Sequence, residues 1–232
     1  MSDCKILLFI PSPREIPVFV NTIREIKGYD KLFVRYYPEL EAYEKASEWF
    51  LQETSGKYTH FAICPDDLLF KQEDIDLLKQ DIEENQYDVI QGYCKNTIRQ
   101  RYDWTGRAET VDNADSNLSW VLPPNPPVNG TYDQFQFLSM KFLDKYKEDF
   151  GPMIKVKFAG FPLTILSRKV IETIPFRRIH CCIDSFLAFD LAEKGIDQYA
   201  DLRVRIVHIE ASDPAKILVG KRTPTVEFER DG

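Results

Sequence analysis

Short apolar runs alternate, through the first ninety residues, with stretches whose apolar positions recur every three or four residues. Lys5 to Ile10 is such a run, and Pro11-Ser12-Pro13-Arg14 ends it, which predicts a buried first strand and a loop. Ile16 to Ile26 carries Val20, Ile23 and Ile26 at helical spacing, with Gly28 as a stop. Lys31 to Tyr37 reads as a second strand. From about Leu40 to Glu53, Leu40, Tyr43, Ala46, Trp49 and Phe50 form the apolar face of a helix. Gly56 breaks the chain before a third strand, Phe61 to Asp67. Glu73 to Glu84 is helical, with Ile75, Leu78 and Ile82 inward, and Asp88 to Gly92 is a fourth strand. This β-α-β-α-β-α-β order predicts an α/β fold whose mostly parallel, Rossmann-like sheet has helices on both faces.

The alternation stops between Tyr93 and about Lys157. Trp104, Trp120 and several tyrosines sit there among Asn, Asp and Gly, with the run Pro123-Pro124-Asn125-Pro126-Pro127. The stretch reads either as an insertion with small β elements or as a binding loop. Beyond it, Gly160 to Arg168 is a turn and a strand, and Lys169 to Ile174 a short helix closed before Pro175. Asp184 to Lys194 is a helix ended by Gly195, and Leu202 to Ile209 is a last strand that carries His208. Ser212 to Gly232 reads as a polar, flexible tail with Lys216, Lys221 and Arg222.

The 232 residues, 44% hydrophobic and 13% aromatic, suit one ordered domain with a sizeable core. A net charge of −7 argues against general nucleic-acid binding and a basic membrane-binding surface, while leaving room for a local basic cleft that holds phosphates. Five cysteines without a C-x-x-C pair suggest neither a disulfide framework nor a zinc site, and Cys181-Cys182 reads as small buried residues. The run Ile6 to Ile10 is too short for a transmembrane segment and lacks a signal-peptide layout, so a cytoplasmic location is expected. The sequons at Asn117-Leu118-Ser119 and Asn129-Gly130-Thr131 are then expected to be unused.

Candidate chemistry is concentrated at the end of the third strand. Two adjacent carboxylates, Asp66 and Asp67, follow an apolar run, at the edge where open α/β sheets bind ligands. Paired carboxylates repel, and a cation or positive partner relieves them. Hard divalent ions take such oxygen ligands and bridge to phosphates. The plainer reading is that both residues cap a turn.

With Pro11-Ser12-Pro13, Pro65-Asp66-Asp67, Asp88-Val89-Ile90-Gln91-Gly92, Gly160-Phe161-Pro162, Asp184 and His208 in this order, the chain resembles the GT-A fold glycosyltransferases. The likeness is to their inverting, nucleotide-sugar-dependent (family 2-like) group, and it runs through most of the chain. It implies a single GT-A domain, with 1–92 a nucleotide-binding half, 93–211 an acceptor-binding half and 212–232 the tail. The implied activity is hexosyltransferase-type transfer from a UDP or GDP sugar to a glycan, lipid or protein hydroxyl, with Mn²⁺ or Mg²⁺ as cofactor.

By the same resemblance, Asp67 matches the metal-binding carboxylate, Asp66 the middle residue of the acidic motif, contacting metal or nucleotide sugar, and His208 a late metal ligand. Pro65 stands where the family has its first Asp, and Ile183 replaces the Glu that commonly precedes the catalytic Asp, here Asp184. Pro11, Ser12, Arg14, Arg35, Tyr36 and Lys45 match or neighbour nucleotide-binding positions. Trp104, Trp120 and Gly160 are candidates for the acceptor side, and Lys216, Lys221 and Arg222 for a lid over the diphosphate. The competing assignments are a helix N-cap for Asp184, a strand histidine for His208, a satellite hydrophobic cluster for the tryptophans and a solvated tail. At the level of function, the competitors are a catalytically degenerate nucleotide- or glycan-binding module and a sugar nucleotidyltransferase. The absence of glycine from Pro11-Ser12-Pro13-Arg14 argues against the second.

Overall fold

The computed structural model describes residues 4–12, 16–52, 57–96, 115–126, 134–178, 182–209 and 222–231. In chain order the elements begin with β1 (Ile6–Ser12), α1 (Pro17–Glu25), β2 (Lys31–Arg35), α2 (Glu39–Gln52), β3 (His60–Ile63), β4 (Leu68–Leu69), α3 (Gln72–Asn85) and β5 (Val89–Cys94). They continue with β6 (Asp115–Ser119), β7 (Phe137–Ser139), α4 (Met140–Phe150), β8 (Met153–Val156), β9 (Phe158–Ala159) and β10 (Thr164–Ser167). The last are α5 (Arg168–Thr173), α6 (Ile183–Glu193), β11 (Gln198–His208) and β12 (Thr225–Glu229).

Among the described residues, one sheet runs β12-β2-β1-β3-β10-β5-β11-β4, with β8 also on β11. β1, β2, β3, β5 and β11 share one direction, because β10 is antiparallel to both β3 and β5. The sheet is therefore mixed, where a mostly parallel one was expected. Strand direction is set by how the chain re-enters the sheet, and an apolar run does not encode it.

Helices do cover both faces. Ile6, Leu8 and Ile10 pack with Phe19 and Ile23 of α1 and Ile75 and Leu78 of α3. The alternate residues Leu7 and Phe9 pack with Tyr43 and Phe50 of α2, Val170 of α5 and Ile183 and Leu187 of α6. This period of two, with both sides apolar, is why β1 reads as an unbroken hydrophobic run.

Of the two readings of the middle segment, the small β elements are present, and the expectation for the tail changes. The segment from Tyr93 contains a small sheet, β7-β6-β9, and the helix α4, capped by Ser139, whose hydroxyl accepts from Phe142 N at 3.2 Å. The tail is not wholly flexible: β12 pairs antiparallel with β2 from Thr225↔Arg35 to Glu229↔Lys31. Phe228 stacks on Trp49 at 4.9 Å between ring centroids, which gives that edge strand an apolar anchor. No helix among the described residues is long and apolar enough to cross a membrane.

Candidate functional site

The shared direction of β1, β2, β3, β5 and β11 gathers their C-terminal ends at one edge. Pro11 and Ser12 close β1, Arg35 closes β2 with Tyr36 just beyond it, Cys94 closes β5, and His208 closes β11. β3 leads into a turn in which Leu68 N donates to Pro65 O at 3.2 Å, with Asp66 and Asp67 at its centre. The turn expectation is thus met. These two residues do not cap α3, whose N-cap is Lys71 boxed by Asp74.

β4 then folds back against the end of β11, pairing Leu68 with His208, and Ile209 N donates to Asp67 O at 2.7 Å. This local pairing brings Asp67 Oδ2 to 3.6 Å from His208 Nε2. Asp66 is buried, whereas Asp67 and His208 keep part of their side chains in solvent.

Asp184 lies in the first turn of α6. The N-cap there is Cys182, which makes no side-chain cap bond, while Asp184 Oδ1 accepts from Ser185 N at 2.7 Å. A Cβ at Gly160 would stand 3.1 Å from Asp184 Oδ2, so the glycine keeps one side of that carboxylate open. Phe161 and Leu163, just beyond, hold φ of 40° and 52°, and Tyr36 holds 62°. Side-chain-bearing residues rarely adopt this left-handed region, and such strain collects at functional sites.

Tyr43, in the core under these loops, reports their charge. Burial pushes its phenol well up, and Glu39, Asp184, Asp67 and Asp66 push in the same direction. Burial, with Asp67 second, pushes the Cys94 thiol up to about 12. The acidic residues of β3's turn and of α6 therefore face one region.

The remaining candidates have the following neighbours. Arg35 pairs with Glu227 of β12 at 3.3 Å. Arg222 Nη1 donates to the Tyr36 hydroxyl at 2.7 Å, its guanidinium 5.2 Å from the ring centre. Lys45 is exposed on α2 and paired with Glu48. Trp120 packs edge-on against Phe142 of α4 at 4.9 Å, with Tyr146 of the same helix at 6.2 Å. Arg14, Trp104, Lys216, Lys221, Cys181 and the sequon at Asn129 lie outside the described residues. Among the described residues, no group of three or more His, Cys, Asp or Glu is placed to hold a metal ion.

Two residues without an assigned role from the sequence stand out. The side-chain nitrogens of Gln91 and Asn117 are buried and have no hydrogen-bond partner among the described residues. Gln91 accepts from Thr164 through its oxygen, and Asn117 from Cys94 N at 2.8 Å. The sequon asparagine at 117 thus points into the protein.

No protein-family model matches the chain, and no curated protein does. Solved structures do match. A crystal structure of A197 from STIV is similar over 89% of this chain and 95% of that chain, with a TM-score of 0.52 and 16% identity. At that identity the likeness is one of fold alone: a mixed α/β sheet flanked by helices.

Proposed function

We propose that the chain is a GT-A-type glycosyltransferase that moves a sugar from a nucleoside diphosphate to a hydroxyl acceptor with inversion. The observation that carries this reading is the approach of Asp67 to His208, 3.6 Å apart at the strand ends where open α/β sheets bind ligands. Asp184 is a separate carboxylate whose charge is felt at the same buried phenol, Tyr43.

One carboxylate oxygen and one imidazole nitrogen suit Mn²⁺, which tolerates imidazole better than Mg²⁺ does, with phosphate oxygens completing the ligand set. A metal ion held there by Asp67 and His208 would neutralise charge on the leaving diphosphate. Asp66, next in the turn, adds negative potential. Ser12, Arg35 and Tyr36 border the nucleotide end.

In the reaction, a bond forms between the acceptor oxygen and the anomeric carbon as the bond from that carbon to the diphosphate oxygen breaks. The electron pair leaves with the diphosphate, and the acceptor's proton passes to Asp184. Gly160 leaves space beside Asp184 Oδ2 for that hydroxyl. Pro65 in place of the first Asp of the acidic motif and Ile183 in place of the Glu before Asp184 favour a second reading, a binding module without turnover.

Thermal unfolding with UDP, GDP, CMP and dTDP, each with and without Mn²⁺, tests both. A ligand at a hundred times its Kd adds about 2.7 kcal/mol, a midpoint shift of roughly 5–10 °C for a chain of this size. A Mn²⁺-dependent shift that vanishes in Asp67→Ala is expected. No shift with any nucleotide overturns the proposal, and a shift without sugar transfer selects the binding module.

A further inference from the structure

We infer that Asn117 binds the transferred sugar, donating a hydrogen bond from its carboxamide nitrogen to a sugar hydroxyl. This rests on the glycosyltransferase reading and adds a residue to it that the motif resemblance did not assign.

β6 is a strand of polar residues, Asp115-Ser116-Asn117-Leu118-Ser119, and all five are buried. Such a composition is unusual inside a protein unless the polar groups have partners. Ser116 has one, since its hydroxyl donates to Leu138 O at 2.8 Å, and Ser119 has one in Val121 O at 2.8 Å. Asn117, 7% exposed, is satisfied on one side only: Oδ1 accepts from Cys94 N, and Nδ2 has no partner among the described residues. The bond to Cys94 fixes the plane of the amide, so the donor is already oriented. Leaving a buried donor empty costs stability, and a ligand that fills it recovers that loss.

The strand register says where this donor sits. β6 pairs antiparallel with β9 through Leu118↔Ala159 and Ser119↔Phe158. Asn117 and Gly160 come next on the two chains and are therefore close neighbours, beyond the last β6–β9 pair and within the stretch where β6 shifts register against β7. The Cβ direction of Gly160 leads to Asp184 Oδ2 at 3.1 Å. On its other side, Asn117 is tied to Cys94, whose thiol feels the charge of Asp67. The amide therefore lies between the diphosphate end, at Asp67, and the base, Asp184. A donor sugar occupies that interval in any transfer using those two residues. A carboxamide N–H suits a sugar hydroxyl, which accepts and donates.

Asn117→Asp keeps Oδ1 for Cys94 and removes the donor. Asn117→Ser shortens the side chain and serves should the first variant unfold. Binding of UDP and GDP, and of UDP-glucose and GDP-mannose, is measured by calorimetry with Mn²⁺ for each variant and the unchanged chain. The expected result is a 10- to 100-fold weaker Kd for the sugar nucleotide. The Kd of the matching nucleoside diphosphate stays within about twofold. Equal weakening of both ligands assigns Asn117 a purely structural role, and unchanged binding of both removes it from the site. Either outcome overturns the inference while leaving the transferase reading intact. If the unchanged chain binds none of the four ligands, the transferase reading falls first and the inference with it.

Discussion

The two ends of the same parallel strands are charged in different ways. At the N-terminal end, a cavity of about 530 Å³ is lined by Tyr87, Asp88, Lys169, Lys194, Asp197 and Tyr199, among others. Its carboxylates have close lysines: Lys169 meets Asp88 at 2.7 Å and Lys155 meets Asp197 at 2.5 Å. Burial works to raise the Asp88 carboxyl, but hydrogen bonds from Lys169 and Ser167 outweigh it and hold it below its ordinary value. At the C-terminal end, Asp66, Asp67 and Asp184 instead add their negative fields at one buried tyrosine. Left-handed backbone occurs at both ends, at Tyr36, Phe161 and Leu163 here and at Gln86, which closes α3, beside the cavity. Asp67 has His208 at 3.6 Å and Asp184 accepts from Ser185 N, so the difference lies in the gathering of three carboxylates around one phenol, a setting that suits a cation. The two ends of one sheet thus differ in how their carboxylates are arranged.

Substitutions test that contrast. The largest effect is expected from Asp184→Asn, which should lower transfer about 10²- to 10⁴-fold while leaving Mn²⁺-dependent nucleotide binding in place, as read by initial rates and calorimetry. Next comes Gly160→Ala. Its methyl group would crowd Asp184 Oδ2, so kcat should fall about tenfold with little change in the unfolding midpoint. Lys169→Ala at the opposite end should leave kcat untouched and cost less than about 1 kcal/mol in denaturant unfolding, because its pair with Asp88 is largely exposed. A loss of turnover in that variant would break the contrast between the two ends.

The smallest effects are in the pH profile of stability. Burial lowers His60 to about 4, so between there and its ordinary 6.5 the unfolded chain binds a proton that the folded chain refuses. Stability from this group rises with pH across that window. Asp81 runs the other way. Burial, then Asp201 sharing the Arg203 guanidinium, raises Asp81 to about 6. Between 3.8 and 6 the folded chain keeps a proton that the unfolded chain has lost, so stability falls as pH rises. The two slopes oppose each other between about pH 4 and 6. His60→Gln should expose a falling profile and Asp81→Asn a rising one, read as the unfolding midpoint against pH.

The first half of the fold was legible because each helix there carries its own apolar stripe and each strand is buried on both faces. α4 was missed although Met140 and Leu143 are spaced for a helix and Gly151 stops it, since the surrounding segment has no period. β12 was missed because Thr225-Val226-Glu227-Phe228-Glu229 is short and mostly exposed, and it is a strand through its pairing with β2. Within the candidate site, Asp67 and Asp184 stand out as carboxylates at element ends. The fold-back of β4 onto β11, which brings Asp67 and His208 together, is a contact between distant residues that no local pattern announces. Asn117 was hidden differently: a polar strand looks like a loop until its burial is known.

The pairing of β12 with β2 also bears on how the protein is made. β2 is complete by residue 35, yet its outer edge is covered by residues 225–229, and Asp231 N closes the corner on Asp30 at 2.9 Å. During synthesis, that row of backbone donors and acceptors stays open until residues 225–229 have emerged. An open edge of this kind is a template for strand pairing with other chains. The fold thus depends on residues 225–229 to stop β2 from recruiting neighbours.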